Sequence, residues 1–149
     1  MTPVYNWKTN ILEVDDKYKN HYFLELRGNK NVIKGNSGTG KSYLYDRLAN
    51  LKKSSGNVSK YTVDNIILLN KDNIDDLRNY KGKLIIIDRA ELLLTEKEID
   101  IINADDENRY LIFSRALMGI ELSPNHQADL ITENGTTKMK YRFNVKGWC

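Results

Sequence analysis

Short apolar blocks separated by polar turns dominate the chain, and several are too continuous to be apolar on one side only. Asn65-Ile66-Ile67-Leu68-Leu69-Asn70, the 83–88 run containing Leu84-Ile85-Ile86-Ile87, and Tyr110-Leu111-Ile112-Phe113-Ser114 each predict a strand buried on both faces. Asn31-Val32-Ile33-Lys34 predicts a shorter strand. In 21–27, Tyr22, Leu24 and Leu26 alternate with less apolar positions, as in a half-buried strand. Gly28-Asn29-Lys30 is a turn, so this strand is expected to pair antiparallel with the one at 31–34.

Helical spacing fills the gaps. Leu44, Leu48 and Leu51 share one face of a helix expected over 41–53, which stops at Ser54-Ser55-Gly56-Asn57. Ile74 and Leu77 predict a short helix over 73–80. Thr95 and Glu98 have capping-box spacing, so a helix carrying Ile99 and Ile102 should start near 96. Pro124 excludes a continuous helix over 116–127. Asn134-Gly135, between apolar-alternating flanks, predicts a β-hairpin within 128–145. Residues 1–20 show no clear period and are expected to be an N-terminal extension, with a short helix around 11–17.

Buried strands alternating with helices predict one α/β domain over 1–149: a three-layer fold with a mostly parallel central sheet and antiparallel hairpins at its margins. With 149 residues the chain is long enough for a real core. At 40% hydrophobic and 29% charged residues it has the composition of a soluble globular protein. The net charge of +3 is too small to argue for nucleic acid, which stays open as a partner without support. The stretch 71–107 is acid-rich between mildly basic flanks. The apolar run at 84–87 is far too short to span a bilayer, and no signal peptide is visible, so no membrane partner is expected. A single cysteine, Cys149, and no disulfide make the cytoplasm the expected location.

The candidate chemistry lies between the strand at 31–34 and the helix after it. Gly35-Asn36-Ser37-Gly38-Thr39-Gly40-Lys41-Ser42 satisfies the phosphate-binding pattern G-x-x-x-x-G-K-[ST] in full. A run of backbone N–H groups that all point inward forces some residues to φ values costly for a Cβ, which Gly35, Gly38 and Gly40 relieve. Small Asn36, Ser37 and Thr39 keep the rim open. Lys41 brings charge to the β- and γ-phosphates, Ser42 offers a hydroxyl to Mg²⁺, and the start of the helix adds to the anion site. A metal-binding carboxylate is then needed at the end of a neighbouring strand, and Asp88 supplies it.

These features resemble the P-loop NTPase superfamily, in particular its additional-strand branch of AAA- and ABC-like ATPases. The 35–42 loop matches Walker A, 84–88 matches Walker B, and 110–114 resembles the sensor-1 strand, which in that branch lies between the other two. The resemblance covers roughly residues 21–115. It implies a P-loop NTPase fold, ATP with Mg²⁺ as cofactors, Ser42 and Asp88 as metal ligands, and Ser114 bonded to the γ-phosphate or the attacking water. Arg115 could approach the nucleotide or pair with the acidic segment, and the surface ion pair is the simpler reading.

Departures narrow the expectation. The catalytic Glu that usually follows the Walker B Asp is replaced by Arg89, and Glu91 is the nearest substitute. No LSGGQ-like segment is present, and no room remains for a helical lid with a second sensor arginine. Asn70-Lys71-Asp72-Asn73 fails as a guanine-reading motif. Tyr18 or Tyr22 could stack on a base, though packing is the simpler role. The chain is therefore expected to bind Mg²⁺-ATP and hydrolyse it weakly or with a partner, through a protein partner or self-association. A non-hydrolysing nucleotide sensor and a small-molecule or nucleotide kinase are the alternatives; the kinase lacks an arginine-rich lid in 116–127.

Overall fold

The computed structural model describes residues 4–15, 21–34, 48 and 65–142. Nine strands form one mixed sheet: β1 (Val4–Asn6), β2 (Ile11–Asp15), β3 (His21–Glu25), β4 (Lys30–Ile33), β5 (Ile66–Leu69), β6 (Leu84–Ile87), β7 (Arg109–Phe113), β8 (Gln127–Glu133) and β9 (Thr136–Tyr141). Their spatial order is β1-β2-β3-β9-β8-β4-β7-β6-β5. From β8 through β4, β7 and β6 to β5 every pairing is parallel. The pairs β1–β2, β2–β3 and β8–β9 are antiparallel, and β3 runs parallel to β9.

This overturns the expected three-layer α/β P-loop fold. The described residues are mostly β structure, in a sheet that is curled and nearly closed like a barrel, and side chains from its two halves meet on the inner face. Leu12, Val14, Tyr22 and Leu24 from the antiparallel half meet Ile33, Ile66, Ile86 and Phe113 from the parallel half in one buried cluster, with helical Leu48 among them. The two ends of the strand order are fastened together. Asn65 donates its amide to the Tyr5 carbonyl at 2.8 Å, and Arg109 donates to the Tyr5 hydroxyl at 3.0 Å while its guanidinium stacks 3.9 Å from the Trp7 ring.

The outer face of the parallel half is covered in the expected manner. Val32, Ile85, Ile87, Tyr110 and Ile112 pack there against Leu77, Ala90, Ile102 and Ile120. These come from a 3-10 turn at Ile74–Asn79, from α1 (Ala90–Leu93), from α2 (Glu96–Ala104) and from the loop after β7. Glu98 accepts from the Thr95 amide at 2.8 Å, completing one half of the capping box that starts α2. Asn134 (φ 52°) and Gly135 (φ 80°) make the left-handed hairpin turn that their residue types favour. No helix among the described residues is long and apolar enough to cross a membrane.

Two local expectations also fall. Residues 4–15 hold the β1–β2 hairpin, not a structureless extension or a helix. Nor does β3 pair with β4: β9 and β8 lie between them. The reason is visible at the turn. Fully buried Asn31 uses its side-chain amide to pair both backbone groups of Arg27, donating to its carbonyl and accepting from its N–H at 2.9 Å each. That closes the turn without a strand ladder and frees β3 to leave. Arg27 is then pinned by a bond to the Asn125 carbonyl at 3.0 Å and by stacking 3.8 Å from the Tyr141 ring.

Gly28 sits on the same junction at φ 58°, where an added Cβ would come within 2.8 Å of the His126 imidazole. Burial, and then the charge of Arg27, pushes the His126 pKa below its ordinary value. Above about pH 6.5 the imidazole is neutral in both folded and unfolded chains. Below it the unfolded chain takes up the proton first, so stability should fall as pH drops towards the lower folded pKa. Urea titrations between pH 7 and 5 should show this decline, and His126→Gln should flatten it. Asn31→Leu, which removes the buried side chain that pairs both Arg27 backbone groups, should cost about 2–4 kcal/mol in the same assay at pH 7.

Candidate functional site

Parallel strands deliver their carboxyl ends to one edge of a sheet, so whatever follows β4, β7 and β6 is gathered there. Register makes the alignment explicit. Ile33 of β4 is level with Phe113 of β7, and Ile112 of β7 is level with Ile87 of β6. The Ser114 amide donates to the Ile33 carbonyl at 3.2 Å, continuing the β4–β7 ladder one residue further. Asp88 therefore leaves β6 two strand spacings, about 10 Å, from the residue that leads into the 35–42 loop. The loop itself, with Gly35, Asn36, Ser37, Gly38, Thr39, Gly40, Lys41 and Ser42, lies outside the described residues. So do Tyr18 and Cys149. Tyr22 is in the inner core.

Asp88 is mostly buried, its side chain 16% exposed, and Arg89 Nε stands 3.8 Å from its Oδ2. Arg89 itself is in the left-handed region, at φ 51° and ψ 55°. That conformation costs a Cβ-bearing residue about 1–2 kcal/mol. It has a consequence for the site. The reversed backbone turns the chain sharply between β6 and α1, sending the Arg89 side chain outward and bringing Glu91 back to the end of β7. Glu91 Oε1 accepts from the Arg115 amide and lies beside Ser114 Oγ, both at 3.3 Å. Asp88, Glu91 and Ser114 thus share one edge of the sheet.

The bonds are unequal. A hydroxyl has one proton, and Ser114 Oγ lies 2.6 Å from the Ala116 carbonyl. That shorter bond takes the proton, while Ser114 Oγ also lies 3.3 Å from the Ala116 amide. Ser114, buried at 2% exposure, therefore shapes the turn after β7, and its contact to Glu91 is the weaker one. Among the described residues Glu91 is held by two long contacts and can reorient cheaply. Of the two metal ligands expected from the sequence, Asp88 stands at this edge and Ser42 lies outside the described residues. Among the described residues no group of three or more His, Cys, Asp or Glu is placed to hold a metal alone.

The pair that sequence reasoning missed is Glu91 with the Arg115 backbone. A short helix of Ala90-Glu91-Leu92-Leu93 gives no periodic signal, and nothing in it forecasts a left-handed Arg89. Because Arg89 is held at positive φ, Arg89→Gly should leave stability unchanged or raise it by up to about 1 kcal/mol. Arg89→Val should lower it by about 1–2 kcal/mol, because a β-branched side chain tolerates this region worst. Thermal melts of the two variants check the contrast. No family model matches this chain and no curated protein matches it, so the functional reading rests on its own residues.

Proposed function

We propose that this chain binds Mg²⁺-ATP at the carboxyl edge of β4, β7 and β6 and hydrolyses it slowly or with the help of a protein partner. One observation carries the reading. A complete phosphate-binding sequence starts two residues after the last residue of β4, and Asp88 leaves the next strand but one at the same edge. The motif-level resemblance to P-loop NTPases is its second support. The reading needs this local geometry and not the three-layer architecture.

In it, the 35–42 backbone and Lys41 hold the phosphates, and Ser42 with Asp88 holds the cation. Mg²⁺ would neutralise charge on the phosphate oxygens and orient them. Arg89 competes for Asp88, which weakens the metal site until nucleotide arrives. Glu91 is the one described carboxylate positioned to orient water, and its two long contacts must loosen first. Those features favour slow turnover. They equally support a second reading, a nucleotide sensor that binds without hydrolysis, because Arg89 stands where a carboxylate would usually activate water.

ATP with Mg²⁺ should raise the melting temperature by mass action, by about 2.7 kcal/mol of stability at a hundredfold excess over Kd. Lys41→Ala should abolish that shift. Glu91→Gln should preserve the shift and remove whatever phosphate release the wild type shows. A wild type stabilised by neither ATP nor GTP overturns nucleotide binding. Turnover untouched by Glu91→Gln removes Glu91 from the mechanism, and a shift without turnover selects the sensor.

A further inference from the structure

Opposite ends of the parallel half carry a knob and a hollow. Leu92, on α1 just past the carboxyl end of β6, is 73% exposed, more than any other large hydrophobic residue among those described. Two exposed arginines stand at that end: Arg89, three residues before it, and Arg115, whose amide bonds the neighbouring Glu91. At the amino end of β6, a cavity of about 370 Å³ opens between the 3-10 turn at Ile74–Asn79 and α2. Leu77, Tyr80, Ile101 and Ala104 give it an apolar lining. Four carboxylates on its rim (Asp100, Asp105, Asp106 and Glu107) outnumber Arg78 and Lys81. Lys81 is spent on an ion pair with Glu107, and Asp105 is tied to Tyr110 and Asn108, which leaves Asp100 and Asp106 exposed and facing outward.

We propose that the occupant of this cavity is Leu92 of a second copy of this chain, so that the protein associates head to tail along the direction of β6. Shape and charge agree: an apolar knob between arginines meets an apolar hollow rimmed by excess carboxylates. The hollow is large enough to seat a leucine with part of a flanking side chain, and burying the knob there removes apolar area that otherwise stays in water. Because knob and hollow occupy different surfaces, the contact is heterologous. It propagates into rings or filaments instead of stopping at a two-fold dimer. The contact would also set the next copy beside Asp88, Glu91 and Ser114. The inference stands on surface geometry alone and does not depend on nucleotide binding.

The asymmetry of the interface supplies the test. Leu92→Ser removes the knob and keeps the hollow; Ala104→Tyr fills the hollow and keeps the knob. Both positions are exposed, so both variants should fold, which circular dichroism checks. In sedimentation velocity over a concentration series, the wild type should grow in mass with concentration and shift back towards monomer in high salt. Each variant alone should associate at least about tenfold more weakly, the loss expected for one buried leucine. An equimolar mixture of the two should form a 1:1 dimer and nothing larger. A wild type that stays monomeric throughout overturns the proposal. So does a Leu92→Ser chain that assembles like the wild type, or a mixture of folded variants that fails to dimerise.

Discussion

The position of β7 is the constraint on which the rest depends. It lies between β4 and β6 with Tyr110, Leu111, Ile112 and Phe113 all but fully buried, so both faces of the sheet must be covered at this point. Burying one such side chain contributes about 1.5–3 kcal/mol, more than the roughly 1 kcal/mol of an ordinary hydrogen bond. Apolar burial therefore decides that the sheet closes, and polar contacts decide where. On the outer side α2 and the 3-10 turn supply the cover. On the inner side, among the described residues, the antiparallel strands and helical Leu48 meet it. The fasteners Asn65 and Arg109 both act at the amino ends of β5 and β7. Closure is thus completed away from the edge where the phosphate-binding sequence begins.

Local chemistry was legible in the sequence and partner choice was not. The runs at 66–69, 84–87 and 110–113 announce doubly buried strands, Thr95 with Glu98 announces the start of α2, and Asn134-Gly135 announces the β8–β9 turn. Each signal lies within a few residues. The turn at Gly28-Asn29-Lys30 was equally legible, yet the hairpin inferred from it does not exist, because one asparagine side chain replaces the ladder that a hairpin would need. Leu12 and Val14 do alternate in β2, but five residues between turns give too short a window to rise above the mixed background of 1–20. Closure could not be read at all. It rests on Asn65 reaching Tyr5 and Arg109 reaching Trp7, contacts sixty and more residues apart that no periodicity encodes.

The same contrast holds at the candidate site. Asp88 was legible because a carboxylate after four apolar residues must emerge where the strand ends. Glu91 could be named only as the nearest acid, and what gives it a place is the left-handed backbone at Arg89. The strain is a local cost that the buried strand behind it, Leu84 to Ile87, is able to sustain.

Under the proposed reading, what then limits hydrolysis is position and not pairing. Releasing Glu91 from two contacts of 3.3 Å costs on the order of 1 kcal/mol. An enzyme must supply about 8 kcal/mol or more of barrier reduction, so an obstacle of that size is minor. A carboxylate set one helical step beyond the end of β6 is a larger handicap, since an ångström of misplacement of a water-orienting group can cost about a hundredfold in rate. Arg89 adds to it by drawing on Asp88 whenever the cation is absent. A neighbouring molecule that packed against α1 would bear directly on Glu91 through Leu92, the adjacent residue. Binding and turnover would then be separable in this chain: the first belongs to the 35–42 loop, the second to whatever holds α1 still.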